Sequence, residues 1–304
     1  MGSWLVKALI LVPILLSVLY VHFRGRERHK FFKQLFDHSA FVAPVNVLMY
    51  LFSRVPTTPY IPVSHFKDLE IIQAHWQEIR EEAQALLNAQ QIRAAQHNDD
   101  AGFNSFFKFG WKRFYLKWYG DSHPSAEQLC PRTVALVRNL PSVKAAMFAY
   151  LPVDGKLNPH RDPFAGSLRY HLGLITPNDD RCFISVDGER YSWRDGEGVV
   201  FDETYIHWVA NTSGKDRLIF FADIERPMNN RIMQAFNSWV GRNLVAQAAS
   251  PNQEGDRVGA ISKLFRYADL MGQQRRRFKR WNPTVYKLTR IGLIVAIVAL
   301  IWFL

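Results

Sequence analysis

Five short strand-like segments crowd into residues 143–224, and their spacing restricts the fold more than any other feature of the chain. They fall at 144–151, 168–175, 181–186, 198–202 and 217–224. Turn-forming residues separate them: Asp154-Gly155, Pro177-Asn178, Asp187-Gly188, Asp195-Gly196 and Ser213-Gly214. Gly, Asn and Asp supply the backbone conformations that reverse a chain, so each break reads as a turn between strands. Strands repeating this closely leave no room for crossover helices, which excludes a parallel βαβ sheet. The pattern predicts a mainly β sandwich or jelly roll.

Helical patterns flank this region. Leu69, Ile72, Trp76, Ile79, Ala83 and Leu86 recur at helical spacing and form one core-facing stripe. Pro56, Pro59 and Pro62 mark an extended linker before them. After Pro227 the stripe Ile232, Phe236, Val240 and Leu244 predicts another helix. Residues 103–119 hold nine aromatics interleaved with Lys108, Lys112, Arg113 and Lys117. That mixture suits stacking on single-stranded nucleic acid, a membrane rim, or a β-hairpin with one buried face. No internal repeat, GxGxxG or Walker loop is present.

The 304-residue chain has a net charge of +11, and its position matters more than its size. Residues 24–33 carry +4 and residues 266–290 carry +7, so the rest of the chain is neutral. A neutral body argues against nucleic acid as the partner. Each basic segment adjoins an apolar run instead: residues 4–23, with Lys7 as the single charge, and residues 291–304. The first run is long enough to span a bilayer, too long for a signal peptide, and lacks a small-residue cleavage site. Basic flanks orient such segments toward the cytoplasm. A third apolar run, 39–52, is short and reads either as an interfacial segment or as a buried helix of the body. Ile261, Leu264, Phe265 and Ala268 predict a helix on the membrane surface or packed on the domain. The expected organisation is an anchor at 1–53, a catalytic domain at 54–250, and a basic helix with an apolar tail at 251–304. With only Cys130 and Cys182, a disulfide framework or Cys-rich zinc site is excluded.

The residues suited to chemistry lie in the β region. His160 and Asp162 form a His-x-Asp pair in a segment rich in turn-formers, and in extended chain their side chains point the same way. His207 could complete a set of two imidazoles and one carboxylate, the facial triad of non-haem Fe(II) oxygenases. Three protein ligands leave room for a bidentate cosubstrate and O2. Arg217, opening a strand ten residues after His207, could hold the far carboxylate of a dicarboxylate. A zinc hydrolase using the same ligands, or a plain surface loop, remains open on spacing alone.

A longer set of residues carries a resemblance. Asn158-Pro159-His160-Arg161-Asp162, Leu168-Arg169-Tyr170-His171-Leu172-Gly173-Leu174, Trp193 with Gly196, Phe201-Asp202-Glu203 and Arg217-Leu218-Ile219-Phe220 resemble the aspartyl/asparaginyl β-hydroxylase family of Fe(II)- and 2-oxoglutarate-dependent dioxygenases. The resemblance spans residues 111–227. It implies a double-stranded β-helix, iron ligation by His160, Asp162 and His207, and 2-oxoglutarate held distally by Arg217. Arg169 and His171 would assist near the metal end of the cosubstrate. Animal members that modify epidermal-growth-factor-like domains lack the carboxylate between the histidines, whereas this chain keeps Asp162. With cytoplasmic basic flanks added, the chain looks like the bacterial membrane-bound branch that hydroxylates lipid A acyl chains at C2. Its expected partners are a lipid substrate and an anionic membrane, its expected place the cytoplasmic face of the inner membrane. The alternatives are a peptidyl Asp/Asn hydroxylase, a hydroxylase of another aminolipid, and a non-catalytic β-barrel sensor binding metal or lipid.

Overall fold

A strand that is apolar on both faces needs cover on both sides. The segment 217–224 is such a strand: in β10 (Arg217–Glu225) every residue but the last is buried. The computed structural model describes residues 3–30, 34, 37–95, 99–286, 288, 289 and 292. It contains all five expected strands and adds five: β1 (Tyr60–Ile61), β2 (Lys112–Trp118), β4 (Lys156–His160), β7 (Glu189–Ser192) and β9 (His207–Asn211). The expected five become β3 (Val143–Leu151), β5 (Ser167–Ile175), β6 (Cys182–Val186), β8 (Gly198–Phe201) and β10.

Two antiparallel sheets result, ordered β1-β8-β5-β10-β3-β2 and β4-β9-β6-β7. From β3 to β10 the chain passes back and forth between them, which is the winding of a jelly roll. Leu218, Phe220, Ala222 and Ile224 of β10 face outward into one core with Leu69, Ile72, Ile79, Ala83 and Leu86. Ile219 and Phe221 face inward into a second core with Trp111, Trp193 and Val209. The predicted helical stripe thus covers the large sheet, although the helix divides at His75 into Lys67–Ala74 and Trp76–Asn88. Gly173 in β5 is required where it stands, because a Cβ there would collide with the Arg194 carbonyl.

Two readings need correction. The segment 103–119 is not a hairpin: Asn104–Phe107 is a helical turn, Gly110 takes a positive φ of 82°, and only β2 is extended. Asp100 imposes the helical turn by accepting from the Phe103 backbone at 2.8 Å. The stripe after Pro227 does lie on a helix, Arg231–Asn243, but Ile232 and Leu244 are exposed while Asn237, Val240 and Gly241 are buried.

The N-terminal apolar run is a helix, Ser3–Phe23, whose last turns pack on the body. Val18 and Val21 join Ala40, Ala43, Met49, Tyr50, Phe164 and Ala165 in a third apolar cluster. Residues 39–52 contribute helices His38–Phe41 and Ala43–Leu51, and the second is a helix of the body. Its Asn46 side chain bridges Pro163 O (2.8 Å) and Ala165 N (2.9 Å), while Phe41 and Leu51 stay exposed. Among the described residues, no helix is long and apolar enough to cross a membrane. Of the apolar tail 291–304 only Gly292 is described, and Lys33, Lys287 and Arg290 of the basic flanks also lie outside the described residues. The surface-helix expectation corresponds to Ala260–Trp281, which exposes Ile261 and Leu264. The Ala268 side chain is outside the described set.

Candidate metal and cosubstrate site

His160 is the last residue of β4, and its register partner is His207, the first of β9. The expected turn-rich loop is therefore half strand, and antiparallel pairing itself brings the histidines together, with ring centroids 4.2 Å apart. Asp162 follows in the β4–β5 loop, its carboxylate 3.7 Å from His160 Nε2. Ligand atoms from His160, Asp162 and His207 all lie within 4.8 Å of one another.

The tautomers fit a metal. His160 Nδ1 lies 2.9 Å from Asn158 O, and His207 Nδ1 lies 3.0 Å from Tyr205 O. A carbonyl only accepts, so both Nδ1 atoms carry the proton and both Nε2 atoms keep a lone pair. His160 Nε2 is buried with no hydrogen-bond partner among the described residues. Burial, and then the neighbouring His160, hold the His207 imidazole neutral, with its pKa pushed down to about 3. Two lone pairs beside a carboxylate, with no proton to share, suit a divalent cation.

Arg169 positions that carboxylate. Its Nη2 donates to Asp162 Oδ2 at 2.9 Å and to Glu203, and its Nε lies 3.0 Å from Asp223 Oδ1. Three carboxylates thus share one guanidinium, which lies over the Phe221 ring at 4.0 Å. Burial and mutual repulsion push Glu203 and Asp223 upward, whereas the Arg169 guanidinium holds Asp162 well below the usual carboxylate range. Ser167 Oγ and Tyr119 OH donate to Glu203 and Asp223 at 2.6 and 3.2 Å.

Arg217 stands at the other end of β10 in the opposite situation. Its side chain is 0% exposed, and none of its three guanidinium nitrogens has a hydrogen-bond partner among the described residues. Trp193 and Trp111 flank it at 4.2 and 4.8 Å. Burial lowers its pKa to about 10. A buried cation without an anion is costly unless a ligand supplies one. His171 lies between the two arginines, boxed by Phe221, Phe201 and Trp193 at 4.8, 5.0 and 5.9 Å. Both its nitrogens lack partners among the described residues, and burial together with Arg217 keeps it uncharged. Read by alternation alone, Arg169 and His171 suit a solvated strand face, but both point into the barrel.

Several residues at this site have roles that their place in the sequence does not announce. Phe106 meets the His160 ring edge-on at 5.6 Å, and Phe103 packs on Phe221 at 5.7 Å, so the aromatic segment walls the candidate metal site. Glu203 and Asp223 could have been suspected as acids inside apolar segments, which need partners when buried. Arg161 and Arg24 could not. Arg161, between the two metal ligands, is buried and donates to Val21 O at 2.9 Å, fastening the metal loop to the end of the N-terminal helix. Arg24, expected as surface charge, is instead buried, paired with Asp202 at 2.6 Å and held between Tyr50 and Tyr205 at 3.9 and 4.0 Å.

Among curated proteins, the ornithine lipid ester-linked acyl 2-hydroxylase of Rhizobium tropici is 35% identical over 135 residues, covering 44% of this chain and 47% of that protein. The human aspartyl/asparaginyl β-hydroxylase is 26% identical over 161 residues, covering 51% of this chain and 21% of that protein. The matched stretch therefore spans half or less of these relatives. Among solved structures, a Pseudomonas putida prolyl-4-hydroxylase matches at 17% identity, covering 54% of this chain and 90% of that one, with a TM-score of 0.35. The family model for aspartyl/asparaginyl β-hydroxylase matches residues 73–227, a little over half of the sequence and the stretch that holds every metal and cosubstrate candidate. The chain belongs to the aspartyl/asparaginyl β-hydroxylase family.

Proposed function

We propose that the protein is an Fe(II)- and 2-oxoglutarate-dependent dioxygenase that hydroxylates a lipid acyl chain at the cytoplasmic face of a bacterial inner membrane, with C2 of a lipid A acyl chain as the target. The observation that carries the reading is the unpartnered guanidinium of Arg217, buried in the same barrel as the triad. A zinc hydrolase needs only the metal ligands and a water. A buried cation whose three guanidinium nitrogens all lack partners among the described residues calls for a carboxylate.

Iron at His160, Asp162 and His207, together with 2-oxoglutarate and O2, would supply the oxidising chemistry for an unactivated C–H bond. The chain's own residues do the rest. Arg217 binds the distal carboxylate, and the faces of Trp111 and Trp193 fix its guanidinium and keep water from it. Neutral His171 offers one N–H to the cosubstrate between Arg217 and the metal. Arg169 holds one oxygen of Asp162 and so turns the other toward the histidines. Phe103 and Phe106 form an apolar wall beside His160, which favours an aliphatic chain over a polar peptide side chain.

Docking of Val18 and Val21 on the body would keep this mouth near a bilayer that holds residues 4–17. The named substrate of the Rhizobium relative supports a second reading within the same chemistry, an acyl chain of an aminolipid. Lipid mass spectrometry of cells with and without the gene tests both. Hydroxylated lipid A or aminolipid should disappear on deletion and return with the wild-type gene but not with His160→Ala. Unchanged profiles would sink the lipid reading. Substrate-independent conversion of 2-oxoglutarate to succinate, lost in His160→Ala and His207→Ala, would exclude a silent sensor.

A further inference from the structure

Helix Arg231–Asn243 presents three faces with different chemistry. One packs on the body, where Asn237 Nδ2 donates to Gly166 O at 2.9 Å and to Arg226 O at 3.1 Å. A second is apolar and faces outward: Ile232 is 81% exposed and Trp239 51%, with Phe236 stacked on Trp239 at 6.4 Å. Leu244 continues it beyond the helix end at 54%. Phe236 also packs on the third apolar cluster, but core packing does not account for Ile232 or Trp239. Between the two lies a third face, carrying Arg231 and Arg242, which forms the rim of a groove of about 630 Å³.

The groove is cationic. Lys117 and Lys144 stand in its opposite wall, and Glu225 is its carboxylate. Glu225 is already engaged, paired with Lys144 at 3.1 Å and accepting from Ser238 Oγ at 2.5 Å. Four basic groups against one acid leave an excess of three positive charges in one concavity. Lys117 is crowded further by Lys144 and Arg138, and its hydrogen bond goes to a neutral carbonyl, Val137 O at 3.4 Å. The inner end reaches the metal loop. Phe164, two residues after Asp162, lines it, as does Tyr119, whose hydroxyl bonds Asp223, the partner of Arg169.

We propose that this groove seats the anionic headgroup of a membrane lipid. Ile232, Trp239 and Leu244 enter the interfacial layer of the bilayer, and Arg231 and Arg242 lie at headgroup level. The headgroup then rests among Lys117, Lys144 and the two arginines, in a groove lined at one end by Phe164, two residues after Asp162. An amphipathic helix lying in the plane of the interface, with basic groups along its apolar edge, has this distribution. An excess of positive charge recessed beside that edge selects an anionic headgroup over a zwitterionic one. The assignment rests on the acyl-hydroxylase reading and names where the substrate is gripped.

The test places a photoreactive amino acid at Ala235, on the groove rim, in the full-length protein reconstituted into vesicles. Phosphatidylglycerol vesicles should give a lipid adduct, and phosphatidylcholine vesicles little. Arg231→Glu/Arg242→Glu, both exposed and so tolerated by the fold, should reduce the adduct about tenfold or more, as expected for loss of charge-assisted contacts. Equal adducts with both lipids, or no effect of the double variant, would overturn the proposal. So would suppression of the adduct by inorganic phosphate alone, which would mark a free-anion site. Succinate and hydroxylated lipid are measured in phosphatidylglycerol vesicles that also carry lipid A, with Fe(II), 2-oxoglutarate and O2 supplied. Adduct without turnover would remove the hydroxylase reading and leave the groove; hydroxylation undiminished in the double variant would remove the groove and leave the hydroxylase.

Discussion

Arg169 and Arg217 stand on neighbouring strands inside one barrel, and their surroundings are opposite. Arg169 is shared among Asp162, Glu203 and Asp223, whereas Arg217 has two tryptophan faces and, among the described residues, no anion. The first region is closed on itself. Its cation neutralises internal carboxylates and aims one of them at the histidines. The second is incomplete, and an unbalanced charge in a dry pocket is a binding site for the opposite charge. Residue type does not separate the two roles; charge balance does.

The largest expected effect follows from removing each arginine in turn. Arg169→Met strands buried carboxylates and should cost about 3–5 kcal/mol in denaturant unfolding. Arg217→Met removes an uncompensated cation and should leave stability unchanged or raised, while weakening 2-oxoglutarate binding by about a hundredfold in calorimetric titration. Equal destabilisation by the two substitutions would break the comparison.

Metal loading sharpens it next. Mn(II) at a hundred times its Kd should stabilise the wild type by about 2.7 kcal/mol. His160→Ala and His207→Ala should abolish the shift in Tm, and Arg217→Met should retain it, since Arg217 serves the cosubstrate end. A chelator should reverse the shift.

His171 between the arginines gives a pH test on metal-free protein. Its folded pKa lies well below the ordinary value, so near pH 6.5 and below the unfolded chain binds a proton that the folded chain refuses. Stability should therefore fall as pH drops from 7.5 to 5, by up to about 1.4 kcal/mol per pH unit below 6.5. In His171→Phe this component of the slope should vanish. Glu203 and Asp223, with raised pKa values, contribute with the opposite sign, but they are common to both proteins and cancel in the difference. An identical pH slope in the variant would show that His171 is not held neutral.

The smallest effect concerns the third arginine pulled from solvent. Arg24→Met breaks the pair with Asp202, which keeps Arg226 at 2.7 Å. The cost should be about 1–3 kcal/mol, the range for a charged hydrogen bond. Limited proteolysis should then cut sooner after residue 23, because the N-terminal helix has lost one fastening to the body. Unchanged cleavage would return Arg24 to the role of a surface charge.

Much of the β architecture was legible, because strands buried on both faces read as unbroken apolar runs closed by turn residues. The strands missed from the sequence are short or carry chemistry: β4 ends on His160 and β9 begins with it at His207, so polar residues hide the alternation. The metal triad was legible through His-x-Asp and a distant histidine. The charge hub was not, since Glu203 and Asp223 meet Arg169 only when β5, β8 and β10 are side by side. The helix after Pro227 was legible, but which of its faces meets the body was not, because Ile232 and Leu244 share the periodicity of core residues without the packing.

By itself the sequence determined five of the ten strands, which residues could ligate a metal, and that the excess charge sits beside the apolar ends. Those are local properties of composition and spacing. Tertiary structure alone decided which charges are balanced. It buried Arg24 and Arg169 among partners, left Arg217 without one, and turned the Ile232–Trp239 face outward beside a cationic groove. Burial and pairing depend on neighbours distant in sequence, and in a low-dielectric interior they decide what a charged side chain is for.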